Sequence, residues 1–230
     1  MNFFKLVQSS KNYFSIFRKT RINNNKHFLL SNFGLLIGNQ SLFKFLTMYE
    51  LIKQVKYVKG DIIEFGVWNG NNLILIKKIT DYLKLKKNVF GYDWFKGLKK
   101  FSKFDKKINK KKYIGKKKTI LDIIRFFNLK KIYLIDDDVV NFSKHFKFSK
   151  KFCLIYLDLD LYEPTMHLLN IVDKNLEKNG LIVFDQANKK EWPGENKAMN
   201  SFYFKNKKKY KQIKLDRNFS PDIILKKTSK

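Results

Sequence analysis

The sequence predicts an α/β fold: a doubly wound, mostly parallel sheet with helices on both faces and an antiparallel strand pair at its C-terminal edge. Three observations carry this. From Ser41 onward, short apolar runs alternate with segments of helical periodicity. Those runs are continuously apolar, which marks strands buried on both faces and hence a parallel sheet flanked by helices. The last two candidate strands are joined by a connection short enough for an antiparallel pair.

The elements follow in order. Leu42, Phe45, Leu46, Tyr49, Ile52 and Val55 recur at helical spacing and give a helix with one apolar face leading into the core. Strand Asp61 to Phe65, helix Leu73 to Leu85, strand Val89 to Asp93, helix Thr119 to Asn128 and strand Ile132 to Ile135 make the first half. Strand Phe152 to Asp158, helix Pro164 to Leu176 and strand Gly180 to Asp185 repeat the rhythm. Helix Glu195 to Asn206 then precedes strands Tyr210 to Leu215 and Asp222 to Lys226. Residues 1–40 read as a basic, aromatic arm or lid, and 41–230 as a single domain, since 230 residues suffice for one α/β core and little more. The lysine-loaded stretch "FSKFDKKINKKKYIGKKKT" reads as an exposed loop.

Composition narrows the function classes. The chain carries 49 Lys+Arg against 20 Asp+Glu, a formal charge of +29 that would ordinarily point to nucleic acid or an anionic membrane. Almost all of the excess is lysine, with arginine only at positions 18, 21, 125 and 217, and arginine is the better bidentate reader of phosphate and bases. The charge therefore reads mainly as solvated surface, and nucleic acid is not the expected partner. One cysteine, Cys153, lies inside an apolar run; it excludes a disulfide framework or a zinc cluster and suits a reducing cytoplasm. No apolar run approaches the ~18 residues of a membrane span.

In a doubly wound sheet, ligands bind outside the carboxyl ends of the strands, and the acidic and glycine signals fall there. In "DIIEFGVWNGNN", Glu64, Gly66 and Gly70 lead from a strand into a helix capped by Asn71 or Asn72; glycines let backbone approach a ligand, and a helix N-terminus favours an anionic group. Trp68 stands where a dinucleotide fingerprint has its second glycine and would crowd a pyrophosphate. Asp93 ends the second strand, where an acid can accept ribose hydroxyls or simply cap a turn. Asp136, Asp137 and Asp138 end the third, and one of them can receive an adenine amino group.

The fourth signal is the densest. Asp158 and Asp185 end neighbouring strands, with Asp160 and Gln186 beside them. Two carboxylates about 4 Å apart repel by about 4 kcal/mol at an effective dielectric near 20, so they need a proton or a counter-charge. A lysine can supply it. So can a divalent cation, and oxygen-only ligands suit Mg²⁺ or Ca²⁺ rather than zinc.

From Leu42 onward the ordered set "GDIIEFGVWNGNNL", "GYDWFKGL", "LDLDLYEPT", "GLIVFDQ" and "EWPGENKAMNSF" resembles the macrocin O-methyltransferase (TylF-type) family of class I S-adenosylmethionine-dependent methyltransferases. The resemblance implies a Rossmann-like class I methyltransferase sheet and methyl transfer to a hydroxyl of a sugar or similar small polyol-type natural product. It also implies that Glu64, Gly66 and Gly70 line the methionine and ribose part of S-adenosylmethionine, with Trp68 and Asn71 in the same turn, Asp93 at the ribose and Asp138 near the adenine. Asp158 would be metal ligand and general base, with Asp185 a second Mg²⁺ ligand. Position 186 is usually acidic in this family; Gln186 can still coordinate through its amide oxygen but removes one negative charge. Asn71 stands where the family usually has glycine, and Asn tolerates left-handed backbone better than most residues. Asp160, Tyr162 and Trp192 fall on the acceptor side, Trp192 as an aromatic wall for a sugar face or as a core residue.

His145 and His167 are rival bases, and His27 has no context. Two other functional classes remain open at this level: an RNA methyltransferase, favoured only by the charge, and a basic binding protein that has lost catalysis through Gln186. A homo-oligomer is an expectation from the resemblance alone.

Overall fold

The computed structural model describes residues 37–99, 101–108, 113–147, 149–188, 190–215 and 219–229, with Ser31 and Gly34 besides. Most of the arm expected over 1–40 lies outside the described residues, as does His27. The chain divides into two compact units, Met1–Thr47 and Met48–Lys230.

The first described helix, α1 (Asn39–Gln54), crosses this division. Its apolar face is buried only in its C-terminal half: Met48, Leu51, Ile52 and the following Val55 are buried, while Leu42, Phe45 and Leu46 are exposed. The expected helix is therefore present, but half of its apolar face is not part of the core.

In the second unit the elements run β1 (Asp61–Phe65), α2 (Asn71–Tyr82), β2 (Val89–Asp93), α3 (Lys117–Phe126), β3 (Ile132–Asp136), a 3₁₀ turn (Val139–Asn141) and α4 (Phe142–His145). They continue through β4 (Phe152–Leu157), α5 (Tyr162–Val172), β5 (Leu176–Phe184), α6 (Pro193–Asn206), β6 (Tyr210–Lys214) and β7 (Ile223–Lys227). Seven strands form one sheet in the order β3-β2-β1-β4-β5-β7-β6. The first five are parallel; β7 pairs antiparallel with both β5 and β6. The order reverses between β1 and β4, which places the ligand crevice past the carboxyl ends of those two strands.

Continuous apolar strands translate into burial on both faces. All six residues of β4 are buried, and successive side chains feed two separate cores. Ile63, Phe65, Ile155, Leu157, Ile182 and Phe184 pack on one face, Ile62, Leu154, Tyr156, Leu181 and Val183 on the other, as the pleat requires. Cys153 and Leu154 enter the same core, because the pairing register shifts between Phe152 and Leu154. Cys153 is fully buried, and burial pushes its thiol up to about 11, so it is core filler.

Where the bounds differ from expectation, backbone geometry gives the reason. β5 begins at Leu176, not Gly180: Leu176 faces Phe152, and regular pairing resumes at Leu181 after an irregular stretch containing left-handed Asn179 (φ 65°). α5 correspondingly ends at Val172 and starts at Tyr162, while α6 starts two residues early, with Pro193 in its first turn.

Asp173 ties the antiparallel edge to the end of α5. It accepts from the Tyr210 hydroxyl at 2.6 Å and lies 3.2 Å from the buried Lys227 ammonium, which also donates to the Asp173 and Leu176 carbonyls. Burial acts to raise the Asp173 carboxyl, but the hydrogen bonds from Tyr210 and Lys227 and the charge of Lys227 outweigh it and hold the group below its ordinary value. Asp173→Ala is expected to cost about 2 kcal/mol in urea unfolding at neutral pH. Because the folded-state value is depressed, that difference from wild type should be intact above pH ~4 and fade as pH falls through the folded value.

Candidate functional site

The β1 turn is built by backbone that side chains would block. Gly66 has φ 85° and donates to the Tyr92 carbonyl at 3.0 Å. A Cβ on Gly66 would lie 1.8 Å from the Asp158 carbonyl oxygen, so the turn after β1 and the loop after β4 meet backbone to backbone. Trp68 (φ 48°) and Gly70 (φ 79°) are also left-handed. This corrects the expected cap: Gly70 is the N-cap of α2, no side chain caps it, and Asn71 is already helical. Asn72 turns back instead, and its Nδ2 donates to Glu64 Oε1 at 3.0 Å. Glu64 and Asn72 are both buried, and the Asn72 amide oxygen has no hydrogen-bond partner among the described residues.

Asp93 lies beside this turn. Its Oδ2 accepts from the Trp68 N–H at 2.8 Å and its Oδ1 from the Phe95 N–H at 2.7 Å. Burial raises the Asp93 carboxyl, and these backbone donors only partly offset it. A carboxylate has about four lone-pair sites, so both oxygens keep capacity for a ribose hydroxyl. Trp68 is 46 % exposed and meets Tyr113 edge-on at 5.8 Å, which leaves its ring at the mouth of the turn.

Each acid at the end of β3 has its own partner. Asp136 pairs with Lys117 at 2.9 Å, and Asp137 with His145 at 2.8 Å and Asn141 at 2.8 Å. Asp138 caps the 3₁₀ turn through Val140 N–H and pairs with Lys99, and its carbonyl accepts from the Tyr92 hydroxyl. His145 is thus held at the β3 side of the sheet, remote in strand order from β4 and β5. His167 lies in α5, and its buried Nε2 has no hydrogen-bond partner among the described residues.

The β4 and β5 ends carry the acid cluster. Asp158 follows β4 directly and donates its N–H to Phe65 at 2.9 Å; Asp160 is 8 % exposed and left-handed (φ 63°). Asp185 is buried and accepts from the buried Tyr156 hydroxyl, while Gln186 is partly exposed. Two acids that sequence reasoning did not single out join them. Asp222, fully buried before β7, accepts from the Asn188 N–H at 3.0 Å, and Glu195, fully buried in the first turn of α6, has no hydrogen-bond partner for either oxygen among the described residues.

Burial first, then Asp185 and Asp158, push the Tyr156 hydroxyl well above its ordinary value. Burial, followed by Asp160, Asp158, Asp185 and Asp222, does the same to Glu195. The described residues include no group of three His, Cys, Asp or Glu side chains already arranged to hold a metal ion.

The wall beside the cluster is aromatic and stapled. Asp105 accepts from the Ser102 N–H and hydroxyl with one oxygen and from the Tyr162 N–H at 2.9 Å with the other. The Tyr162 ring packs tilted against Phe104, with centroids 4.6 Å apart. Trp192 is 7 % exposed and packs on Tyr113 at 5.9 Å.

This arrangement can seat a ligand across the β1 turn and present carboxylates to whatever lies beside it. A glycine cradle, an unpartnered buried amide oxygen and an acid with spare lone pairs fit a nucleoside-bearing amino acid. Gly66→Ala adds strain at φ 85° and a clash with Asp158, and should abolish or weaken cofactor binding at least tenfold in calorimetry.

The sequence matches the family model for macrocin-O-methyltransferase (TylF) over residues 19–218. No curated protein is significantly similar in sequence. Among solved structures, the calicheamicin methyltransferase CalS11 superposes with a TM-score of 0.75 at 22% identity, covering 96% of this chain and 91% of that one. An apo structure of CalS11, described as a TDP-rhamnose 3'-O-methyltransferase, gives 0.69 at 24% identity over 95% of each chain. The O-methyltransferase NovP gives 0.65 at 18% identity, covering 81% and 80%. A Podospora anserina methyltransferase bound to S-adenosylhomocysteine gives 0.54 at 13% identity, covering 91% and 98%. These likenesses establish the class I methyltransferase sheet, and the match over 19–218 establishes the family: the chain belongs to the macrocin O-methyltransferase (TylF) family and is an S-adenosylmethionine-dependent O-methyltransferase.

Proposed function

We propose that the protein methylates a hydroxyl of a sugar or similar polyol-type natural product, with Asp158 as general base and a divalent cation assisting. The observation that carries this is the backbone contact between Gly66 and Asp158, which sets the acid loop against the cofactor turn with no side chain between them. The acceptor class is supported by family membership and by the sugar acceptor that CalS11's description names.

Bound S-adenosylmethionine supplies an electrophilic methyl group, and a cation such as Mg²⁺ would lower the cost of ionising the acceptor hydroxyl. Glu64, Asn72 and the Gly66–Gly70 turn would hold the amino-acid and ribose part, Asp93 the ribose hydroxyls, and Asp138 the adenine edge once its pairing with Lys99 is accommodated. The cation's donors would be the Asp158 and Asp185 carboxylates and the Gln186 amide. Asp158 takes the acceptor proton, since of the cluster it is the residue whose own backbone abuts the cofactor turn. Tyr156 holds Asp185 in place through its hydroxyl. Asp160 and Tyr162 border the acceptor space at the start of α5.

The RNA reading gains nothing from the site, where Asp160, Asp185, Glu195 and Asp222 are buried acids. A homo-oligomer and a cytoplasmic location belong to the same proposal, the latter resting on the single buried thiol; among the described residues no helix is long and apolar enough to cross a membrane.

Asp158→Asn should lower methyl transfer to a sugar acceptor at least ~100-fold while S-adenosylhomocysteine affinity stays within about threefold. Retained turnover removes Asp158 from the base role. Chelation by EDTA should depress wild-type turnover, and full activity in chelator excludes the cation.

A further inference from the structure

Gln186 leaves the strand tips with two carboxylates, Asp158 and Asp185, and the affinity of a hard divalent ion rises with the number of charged oxygen ligands. Glu195 lies close by. One hydrogen bond and one packing contact, both from its chain neighbours, fix its position. Asn196 Nδ2 donates to the Ala187 carbonyl, one residue after Gln186, so the first turn of α6 is tied to the loop after β5. Gly194 packs so closely that a Cβ there would lie 2.7 Å from the Tyr162 N–H nitrogen and overlap the Asp105 carboxylate, so the same turn is wedged against the start of α5, two residues after Asp160. Glu195, between Gly194 and Asn196, is held between the loops that carry Asp158 and Asp185.

Its side chain is fully buried, and neither oxygen has a hydrogen-bond partner among the described residues. The charged groups that act on it most strongly are Asp160, Asp158, Asp185 and Asp222, all acids. Buried carboxyl groups in proteins are protonated, paired, hydrogen-bonded or bound to metal. We infer that Glu195 supplies the carboxylate that Gln186 lacks, completing with Asp158 and Asp185 an all-oxygen site for a divalent cation of the Mg²⁺ or Mn²⁺ type. The inference rests on the cation-assisted reading above and makes it specific to this chain. As placed, no three such groups converge among the described residues, so closing the site requires a side chain to turn. Glu195 can do so without breaking a hydrogen bond.

The test is Mn²⁺ titration of the full chain, read by electron paramagnetic resonance, with S-adenosylhomocysteine affinity measured by calorimetry on the same samples. Wild type should bind one Mn²⁺ per chain. Glu195→Gln should weaken that binding at least tenfold with S-adenosylhomocysteine affinity within about threefold, and adding Gln186→Glu should restore most of the loss. If wild type binds no Mn²⁺, or Glu195→Gln leaves the affinity unchanged, the inference is overturned; unchanged affinity with raised thermal stability would identify Glu195 as a neutral buried acid, for which Gln is nearly isosteric. Should Glu195→Gln fail to fold, wild type alone decides, because a cation site gives a saturable rise in melting temperature with Mn²⁺ and its absence overturns the claim. Failure of S-adenosylhomocysteine to bind wild type would instead strike the methyltransferase reading itself.

Discussion

The contact between Gly66 and the Asp158 carbonyl is the constraint on which the site depends. β1 and β4 are neighbours at the point where strand order reverses, and their chains leave the sheet so close together that no Cβ fits between them. That proximity makes the cofactor turn and the acid loop one structure. Left-handed positions flank it on either side, at Gly66, Trp68 and Gly70 and at Asp160.

Around that contact, the electrostatics run opposite to those of the whole chain. A protein of formal charge +29 gathers Glu64, Asp158, Asp160, Asp185, Glu195 and Asp222 at the ends of β1, β4 and β5 and the segments packed there. Lysines offset acids elsewhere, at Asp61, Asp81, Asp136, Asp138 and Asp173. Such a reversal costs stability unless protons or cations answer it, and sites where charge is concentrated against the local dielectric are commonly where chemistry is done.

Much of this was legible in the sequence. Strands buried on both faces announce themselves as unbroken apolar runs, and β1, β2 and β4 fall within a residue of their expected bounds. Asp158 and Asp185 on adjacent strand ends follow from the parallel order alone. Less visible was anything decided by tertiary contact. Asn71 looks like a cap until Gly70 takes the left-handed position and Asn72 turns to Glu64. Glu195 reads as an ordinary acid in a helix's first turn, favourable to the dipole; only the packing of Gly194 and the Asn196 tether turn it inward. A glutamate directly after Pro-Gly, three residues past a tryptophan, was the available signal. Asp222 carried no motif and is recruited by the antiparallel return of β7 to β5.

That return shapes how the protein is made. β7 sits between β5 and β6, so on a growing polypeptide the flank of β5 stays open while α6 and β6 emerge, and β6 has no neighbour until its successor arrives. Nascent chains therefore carry an unsealed sheet margin, inviting mispairing or chaperone attention, until residues near 227 clear the ribosome. Asp222 enters with that closing segment, and the acidic floor of the pocket is assembled last.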